Sequence, residues 1–221
     1  MIQMKKKYAI LLLSIIALLS SCEKDPIISN DKRVGISRVT YYADITLTGA
    51  QIISIPVGTN FTEPGVKATA AGQDVPVTTT GTVDNSKSGL YILNYSATNA
   101  DGYTSSASRI VVVTPGTETP GVNISGTYSA VPVGSTPGPA TITKVAAGVY
   151  YTSNCWGNSG AVIPAYFICL DGSTIIVPNQ SSPYGALESS AAGNYTNGLI
   201  TWSIDLIDQG GLIRVKKWQK Q

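Results

Sequence analysis

The chain has 221 residues and no histidine, and it carries 15 lysines and arginines against 13 aspartates and glutamates. The missing imidazole excludes a histidine-dependent catalytic triad and the usual zinc sites that contain histidine. Residues 1–21 hold three lysines and no acids, so the rest of the chain has 12 basic and 13 acidic side chains. A nucleic-acid partner, which needs a basic surface, is therefore not expected.

The chain begins with the three parts of a bacterial export signal. Basic Lys5-Lys6-Lys7 precede an apolar run at residues 8–19, which is shorter than the ~20 residues of a membrane-spanning helix. The sequence Leu19-Ser20-Ser21-Cys22 then resembles the lipobox of bacterial lipoproteins. That resemblance implies removal of residues 1–21 and acylation of Cys22. We therefore expect an exported protein attached to a membrane through lipid at Cys22.

Residues 22–36 are polar, contain Pro26 and charges of both signs, and show no sustained period. This composition predicts a solvated tether between the lipid and the first folded domain. The charged run Glu23-Lys24-Asp25 resembles the segment that directs many Bacteroidetes lipoproteins to the outer face of the outer membrane. The resemblance implies an outward-facing location.

Short alternating segments between turn residues begin near residue 37, and no amphipathic helix is recognisable, so an all-β fold is predicted. In the strongest segment, residues 90–98, one face carries Tyr91, Leu93, Tyr95 and Ala97. Asn99-Ala100-Asp101-Gly102 then predicts a hairpin turn into a strand that ends near Thr114. Some seven short strands in residues 37–114 predict an immunoglobulin-like β-sandwich.

Several motifs in order resemble one family. Val-Gly-Thr-Asn-Phe-Thr-Glu-Pro-Gly-Val at residues 57–66 is similar to a segment of the bacterial surface immunoglobulin-like domains of Bacteroidetes lipoproteins. Residues 88–95, then Ala100-Asp101-Gly102, and Arg109 before a valine run resemble the second half of that family. The resemblance implies a fold, a surface location and a spacer role, and it brings no catalytic residues.

Two Pro-Gly steps predict a linker and domain boundary at residues 115–122. Residues 123–221 then read as further strands, with glycine turns at Asp171-Gly172 and Asn197-Gly198. The order of Ser-Gly-Thr-Tyr at residues 125–128, a meander, Gly-Asn-Tyr at 193–195 and Leu-Ile-Thr-Trp at 199–202 is similar to that of small up-and-down β-barrels. Such barrels lie at the C-terminus of these lipoproteins. The resemblance implies a lipocalin-like antiparallel barrel, filled or holding a small ligand, with a sandwich as the alternative.

Two cysteines lie in strand-like segments of the second domain. Export permits a disulfide between Cys155 and Cys169, whereas a lone cysteine in a strand is commonly a small buried apolar residue. Both interpretations stay open, because sequence does not give the Cα separation that a bridge requires. Without histidine or a Cys-x-x-Cys pair, no metal site is expected, and no motif predicts a cofactor.

Catalysis is not expected either, so no catalytic residue is predicted. A glycosidase needs two carboxylates facing one bond. The carboxylates of the second domain are Asp171, Glu188, Asp205 and Asp208. Asp171 and Asp208 lie next to turn glycines, where aspartate is favoured for backbone reasons alone, and no pair is distinguished by spacing. An enzyme is therefore the least favoured function.

The second domain holds most of the large aromatic side chains. Trp202 alternates with Ile200 and Ile204, which predicts a core position. Trp156 and Tyr184 instead lie in polar, glycine-containing loops, so both are candidate ligand-binding residues on which sugars could stack. The alternative is that they are loop aromatics packed partly on the core.

The end of the chain carries a basic cluster, Arg214, Lys216, Lys217 and Lys220. Such a run is typical of the solvated face of a last strand, and the alternative is a contact with an acidic glycan or a partner lipoprotein. The sequence thus favours a non-catalytic, outer-membrane-anchored accessory lipoprotein whose second domain binds glycan in a polysaccharide-uptake system. The alternative is a structural or adhesive protein that binds an outer-membrane protein partner.

Overall fold

The computed structural model describes residues 33–34, 37–131, 139–158 and 160–221. The predicted signal peptide, Cys22 and most of the predicted tether therefore lie outside the described residues. The chain divides into two compact units, Met1–Tyr41 and Tyr42–Gln221. In the first unit, strand β1 (Arg33–Val34) pairs antiparallel with β2 (Ser37–Arg38). Within the described ranges, no helix has the length and apolar character to cross a membrane.

Seven strands follow in the second unit, up to residue 114, and they form two sheets. They are β3 (Asp44–Leu47), β4 (Ile52–Pro56), β5 (Val66–Ala70), β6 (Gln73–Asp74), β7 (Thr78–Thr80), β8 (Gly89–Thr98) and β9 (Thr104–Thr114). One sheet has the order β3-β5-β6 and the other β4-β9-β8-β7, with β4 parallel to β9. The predicted immunoglobulin-like β-sandwich is confirmed.

The core of this domain follows the predicted alternation. On β8, Leu93, Tyr95 and Ala97 are buried, whereas Ile92 and Asn94 are exposed. Leu93 and Tyr95 pack with the buried Val111 of β9 in a single cluster. Successive side chains of a strand point to opposite faces, so one face of β8 fills the space between the sheets.

The predicted hairpin turn at residues 99–102 is confirmed and has a clear local cause. The side-chain oxygen of Asn99 accepts hydrogen bonds from the backbone N–H groups of Asp101 and Tyr103, at 3.1 and 2.8 Å. Gly102 adopts φ 85°, a left-handed conformation that favours glycine. An asparagine that bonds its own backbone and a glycine that turns the chain together reverse β8 into β9.

A fully buried arginine crosses this core. Arg109 of β9 donates to the carbonyls of Thr48, at 2.8 Å, and Gly65, at 3.3 Å, and also to the carbonyl of Ala50. Its guanidinium pairs with the carboxylate of Glu63 at 3.1 Å. The turn that contains Glu63 and Gly65 is therefore fastened to β9, and a buried charge is tolerated because it is paired and hydrogen-bonded.

The second domain is one antiparallel sheet of nine strands. They are β10 (Gly126–Ala130), β11 (Pro139–Ala146), β12 (Val149–Thr152), β13 (Ala165–Ile168), β14 (Thr174–Ile175), β15 (Gln180–Ser182), β16 (Gly185–Thr196), β17 (Leu199–Leu206) and β18 (Leu212–Lys220). Their order is β13-β12-β11-β10-β18-β17-β16-β14, with β15 also paired to β16. The last strand lies beside the first, as in an up-and-down barrel.

The two ends of the sheet meet and nearly close the barrel. Ile168 of β13 exchanges two backbone hydrogen bonds with Ile176, at 2.8 and 3.0 Å. Beside them, the buried side chain of Gln180 accepts from the N–H of Tyr166 and donates to the carbonyl of Tyr166, both at 2.7 Å. A side-chain amide thus takes the place of a strand's peptide group. The barrel-like alternative is confirmed over the sandwich.

Large rings fill the barrel interior. The fully buried aromatic side chains of the domain are Tyr128, Tyr150, Phe167, Trp202 and Trp218. Phe167 stacks on Tyr150 and meets Trp202 edge-on, with ring centroids 5.4 and 5.3 Å apart. The indole N–H groups of Trp202 and Trp218 both point to the carbonyl of Cys155, at 3.2 and 3.4 Å. The predicted core position of Trp202 is confirmed.

The predicted linker, residues 115–122, packs against the barrel. The N–H of Thr119 donates to the carbonyl of Leu170 at 2.8 Å, and Glu118 pairs with Lys144 at 2.7 Å. Beneath the linker lies an apolar seam, defined as the buried cluster of Val112 from β9 with Val149 and Ile168 from the barrel. The two domains thus belong to one compact unit.

Candidate functional site

The barrel has a distal end, defined by the connections at residues 153–164, 183–184 and 207–211. In an up-and-down sheet, successive connections alternate between the two ends. The turn after β13 lies at the other end, because Leu170 contacts the linker from the immunoglobulin-like domain. Trp156 and Tyr184 therefore share the distal end, away from that domain.

A buried asparagine holds the loop that carries Trp156. The side-chain oxygen of Asn154 accepts from the N–H groups of Trp156 and Gly157, both at 3.1 Å, and from Ile163 at 3.5 Å. Its amide nitrogen has no hydrogen-bond partner among the described residues. Sequence reasoning missed Asn154. The signal that could have found it is an asparagine just before a glycine-containing loop, where its side chain commonly bonds the backbone.

Trp156 is half-buried and packs against the aromatic core of the barrel. The ammonium of Lys216 lies 4.0 Å from the centroid of its ring. This is a cation–π contact, and it occupies part of the ring surface. Trp156 is therefore partly open to solvent, and a positive charge covers part of its ring.

Tyr184 is more exposed, since the residue is 39% exposed while hydrogen bonds fix its backbone. Its N–H donates to the hydroxyl of Ser182, and its carbonyl accepts from the Gln209 side chain, both at 3.1 Å. The carboxylate of Asp208 accepts from the N–H of Ala186 at 2.7 Å. The turn at residues 207–211 thus presents Tyr184 on a fixed hairpin.

The basic cluster predicted as a solvated face is divided between two faces of β18. Lys216 pairs with Trp202 and Arg214 pairs with Ile204, and paired residues of neighbouring strands share a face. Because Trp202 and Ile204 are buried inside the barrel, Lys216 and Arg214 belong to the interior face. Arg214 is nevertheless exposed and Lys217 lies exposed on the outer face, so of these three residues the prediction of a solvated position fails only for the half-buried Lys216.

The electrostatics of the interior face are positive. Burial lowers the pKa of the Lys216 ammonium, and the like charge of Arg214 lowers it further. Among the described residues, neither side chain has a carboxylate within 4.0 Å. A cation that has lost part of its hydration and has no acidic partner favours the approach of an anion.

Both remaining cysteines are buried and free. The disulfide left open by the sequence is not formed in this structure, and Cys155 and Cys169 both pack among apolar side chains of the barrel core. Burial raises the pKa of the Cys155 thiol to about 12 and that of Cys169 to about 11. Both behave as small apolar core residues, which is the other interpretation offered by the sequence.

Asp171 and Glu188 have structural partners, whereas the buried Oδ1 of Asp205 has no hydrogen-bond partner among the described residues. Asp171 accepts from the N–H groups of Ser173 and Thr174, at 2.8 and 2.6 Å, and these bonds hold the pKa of its carboxyl well below its usual range. Glu188 accepts from the Asn179 amide at 3.2 Å. In the described part of the chain, no group of three or more potential ligand residues could hold a metal ion.

Comparison with known proteins bears on the first domain. Residues 45–113 match the family model of the bacterial surface protein Ig-like domain. The match spans nearly all of the seven strands of the sandwich, so this domain is confirmed as a bacterial surface Ig-like domain. The chain is also similar to the crystal structure of a lipoprotein from Bacteroides thetaiotaomicron, with 22% identity and a TM-score of 0.39, over 81% of this chain and 100% of that chain. No curated protein matches the chain.

Proposed function

We propose that this chain is a non-catalytic lipoprotein of the bacterial envelope whose barrel binds glycan at its distal end. The observation that carries the proposal is the placement of Trp156 and Tyr184 at one end of the barrel, away from the Ig-like domain. Aromatic rings beside polar loop groups are suited to stacking on sugar rings. The Ig-like domain serves as the spacer in this arrangement.

The filled interior supports a surface site on the loops rather than one in the lumen. Trp202 and Trp218 are almost completely buried and close the space beneath the loop of Trp156. A barrel of this size is either packed by its own side chains or hollow enough for one small ligand. A polymeric ligand would therefore contact the connections at the distal end, where a long chain can extend past the barrel.

The location belongs to the same proposal. An export signal that ends in Cys22 supports acylation, and a surface-protein Ig-like domain supports a place in the envelope. Replacing Cys22 with alanine is expected to abolish labelling by a radioactive fatty acid and to release the protein from the outer-membrane fraction. Retention of both label and location in Cys22→Ala would refute the anchor.

The test of glycan binding uses the chain from residue 22 onward, with Cys22→Ser, against a panel of neutral and acidic polysaccharides. Tyr184→Ala removes an exposed ring and is expected to weaken binding about tenfold with little change in stability, the loss expected for one stacking contact. Tyr103→Ala is the matched control, because Tyr103 is 49% exposed and lies in the Ig-like domain. Equal binding by both variants would remove Tyr184 from the site.

A second candidate function is supported by exposed apolar side chains. Val162, Ile213 and Val215 are 52%, 47% and 61% exposed, and all belong to the distal loops or to the outer face of β18. Of these three, Ile213 and Val215 lie on the same face of β18, and exposed apolar residues that lie together favour a protein partner. Failure to bind any polysaccharide, together with co-purification of one stable outer-membrane protein that is lost in Val215→Asp, would replace the glycan proposal with this one.

A further inference from the structure

The interior face of β18 brings two cations to the distal end of the barrel. Lys216 lies opposite Trp202, and Arg214 lies opposite Ile204, two residue pairs nearer to the turn at residues 207–211. Strand alternation would normally place an apolar residue at such positions, as it does at Trp218. Arg214 is exposed to solvent, whereas Lys216 is half-buried, so it is the charge of Lys216 that requires a reason.

Neither cation forms an ion pair with an acidic side chain among the described residues. In the described ranges, no carboxylate lies within 4.0 Å of either side chain. The observed partner of Lys216 is the ring of Trp156, 4.0 Å away. A cation–π contact offsets only part of the cost of partial dehydration. An anion at this position would recover the remainder, because charge-assisted hydrogen bonds are about twice as strong as neutral ones.

The loop that carries Trp156 adds a hydrogen-bond donor without a partner in the described part of the chain, the side-chain amide of Asn154. Asn154 is almost completely buried, its oxygen holds the loop of Trp156, and its amide nitrogen has no hydrogen-bond partner among the described residues. Buried amide groups are nearly always hydrogen-bonded, so an unpartnered donor is a finding that needs a partner. It lies two residues from the ring that Lys216 covers, and it donates to acceptors such as carboxylate oxygens.

We propose that the distal end binds an acidic polysaccharide, with the anionic group of a sugar held by Lys216 and Arg214 beside Trp156. This inference rests on the proposed glycan-binding function and adds the class of sugar. Arg214 presents a planar fork that matches a carboxylate, and Lys216 supplies a point charge. Trp156 positions Lys216, so its contribution is to hold the ammonium in place.

The probes are a galacturonate polymer and the same polymer after chemical reduction of its carboxyl groups, tested by calorimetry on the chain from residue 22 with Cys22→Ser. The acidic form is expected to bind, and its affinity is expected to fall as salt rises. The reduced form is expected to bind about tenfold more weakly or worse, the loss of one charge-assisted bond.

The variants separate the site from general surface charge. Lys216→Gln is expected to weaken binding of the acidic polymer about tenfold, and Lys216→Arg is expected to retain most of it. Lys217→Gln is the matched control, because it removes the same charge from the next residue, on the outer face. Arg214→Gln leaves the contact between Lys216 and Trp156 intact. This variant is expected to bind the acidic polymer more weakly at unchanged thermal stability, so the loss of affinity would not come from a damaged fold.

Each outcome decides between the two proposals. Equal binding of the acidic and reduced polymers overturns the acidic-sugar inference and leaves glycan binding standing. Binding of neutral polysaccharides alone does the same. Equal losses in Lys216→Gln and Lys217→Gln overturn the site, since they would report only net charge. No binding of any polysaccharide overturns both proposals.

Discussion

The two domains fill their cores in different ways. The Ig-like domain buries one large ring among its described residues, that of Tyr95, with aliphatic side chains such as Leu93 and Val111, and it also buries the charge of Arg109. The barrel buries five large rings and no arginine or lysine among its described residues. The mainly aliphatic core accommodates a paired guanidinium that ties a turn to a strand, whereas the core of rings is stabilised by apolar area and ring contacts.

This difference predicts where a substitution destabilises each domain most. In the Ig-like domain, a single guanidinium connects three backbone carbonyls and one carboxylate, so one substitution disturbs several segments. In the barrel, the apolar area is distributed over many side chains, and the sensitive point is the closure between the two sheet ends. The predictions below test that contrast.

The largest effect is expected for Arg109→Met. It removes the partner of a partly buried carboxylate and frees three carbonyls, and breaking a buried pair in this way costs about 3–5 kcal/mol. Urea unfolding of the whole chain measures the loss. The double variant Arg109→Met with Glu63→Leu is expected to recover part of the stability, because the unpaired charge is gone. A loss below about 1 kcal/mol in the single variant would contradict the role of the guanidinium.

A smaller effect is expected for Gln180→Leu, which removes both hydrogen bonds to Tyr166 and leaves a peptide group without partners. The expected cost is about 1–3 kcal/mol for a buried polar group left unsatisfied. Hydrogen exchange at the amides of Tyr166 and Ile168 is expected to accelerate, since the closure opens there first. Asn179→Leu, at the exposed neighbouring residue, is the control, and unchanged protection of Tyr166 in Gln180→Leu would argue against the closure.

A third prediction concerns alkaline pH. Burial raises the pKa of Tyr150 from 10.0 to about 12, that of Cys155 from 9.0 to about 12 and that of Cys169 from 9.0 to about 11. The unfolded chain therefore loses these protons first, so stability is fully present below about pH 9 and falls as pH rises toward about 12.

Tryptophan fluorescence measures this fall in the barrel specifically, because all three tryptophans lie there. The urea midpoint is expected to be lower at alkaline pH than at neutral pH, and Tyr150→Phe is expected to reduce the difference. A midpoint that does not change between neutral and alkaline pH would show that these groups do not titrate differently in the folded state.

The smallest change is a chemical one. With Cys22→Ser in place, Cys155 and Cys169 are expected to resist iodoacetamide in the folded protein, because both thiols are buried and their pKa values are raised. Two carboxamidomethyl groups are expected by mass spectrometry after unfolding without reductant. A protein that takes up label only after reduction would contain the disulfide that the structure lacks.

Local pattern predicted much of the fold. The alternation at Leu93, Tyr95 and Ala97 and the turn at residues 99–102 follow from rules that act over a few residues. The seven strands of the sandwich and the meander of the barrel follow from the same rules. Motifs identified the residues of the Ig-like domain, including Arg109, but not that Arg109 pairs with Glu63, which lies 46 residues away.

The candidate site was only partly predictable, because its contacts join distant segments. The loop positions of Trp156 and Tyr184 could be read from the sequence, but the ammonium of Lys216 over Trp156 could not. The closure by Gln180 could not be predicted from the sequence, because a single side-chain amide that hydrogen-bonds like a peptide group produces no periodic pattern of residues. The Pro-Gly steps of residues 115–122 indicate an irregular backbone, and they carry no information on whether it packs.

The apolar seam limits how the two domains of this protein can be separated or recombined, in evolution or by engineering. A cut within residues 115–122 would expose Val149 and Ile168 on one fragment and Val112 on the other, and exposed apolar surface promotes aggregation. Neither domain is therefore freely portable as a module. A chimera that gave this barrel a different spacer would need a matching apolar patch, so gene fusions and domain exchange are expected to preserve the pair.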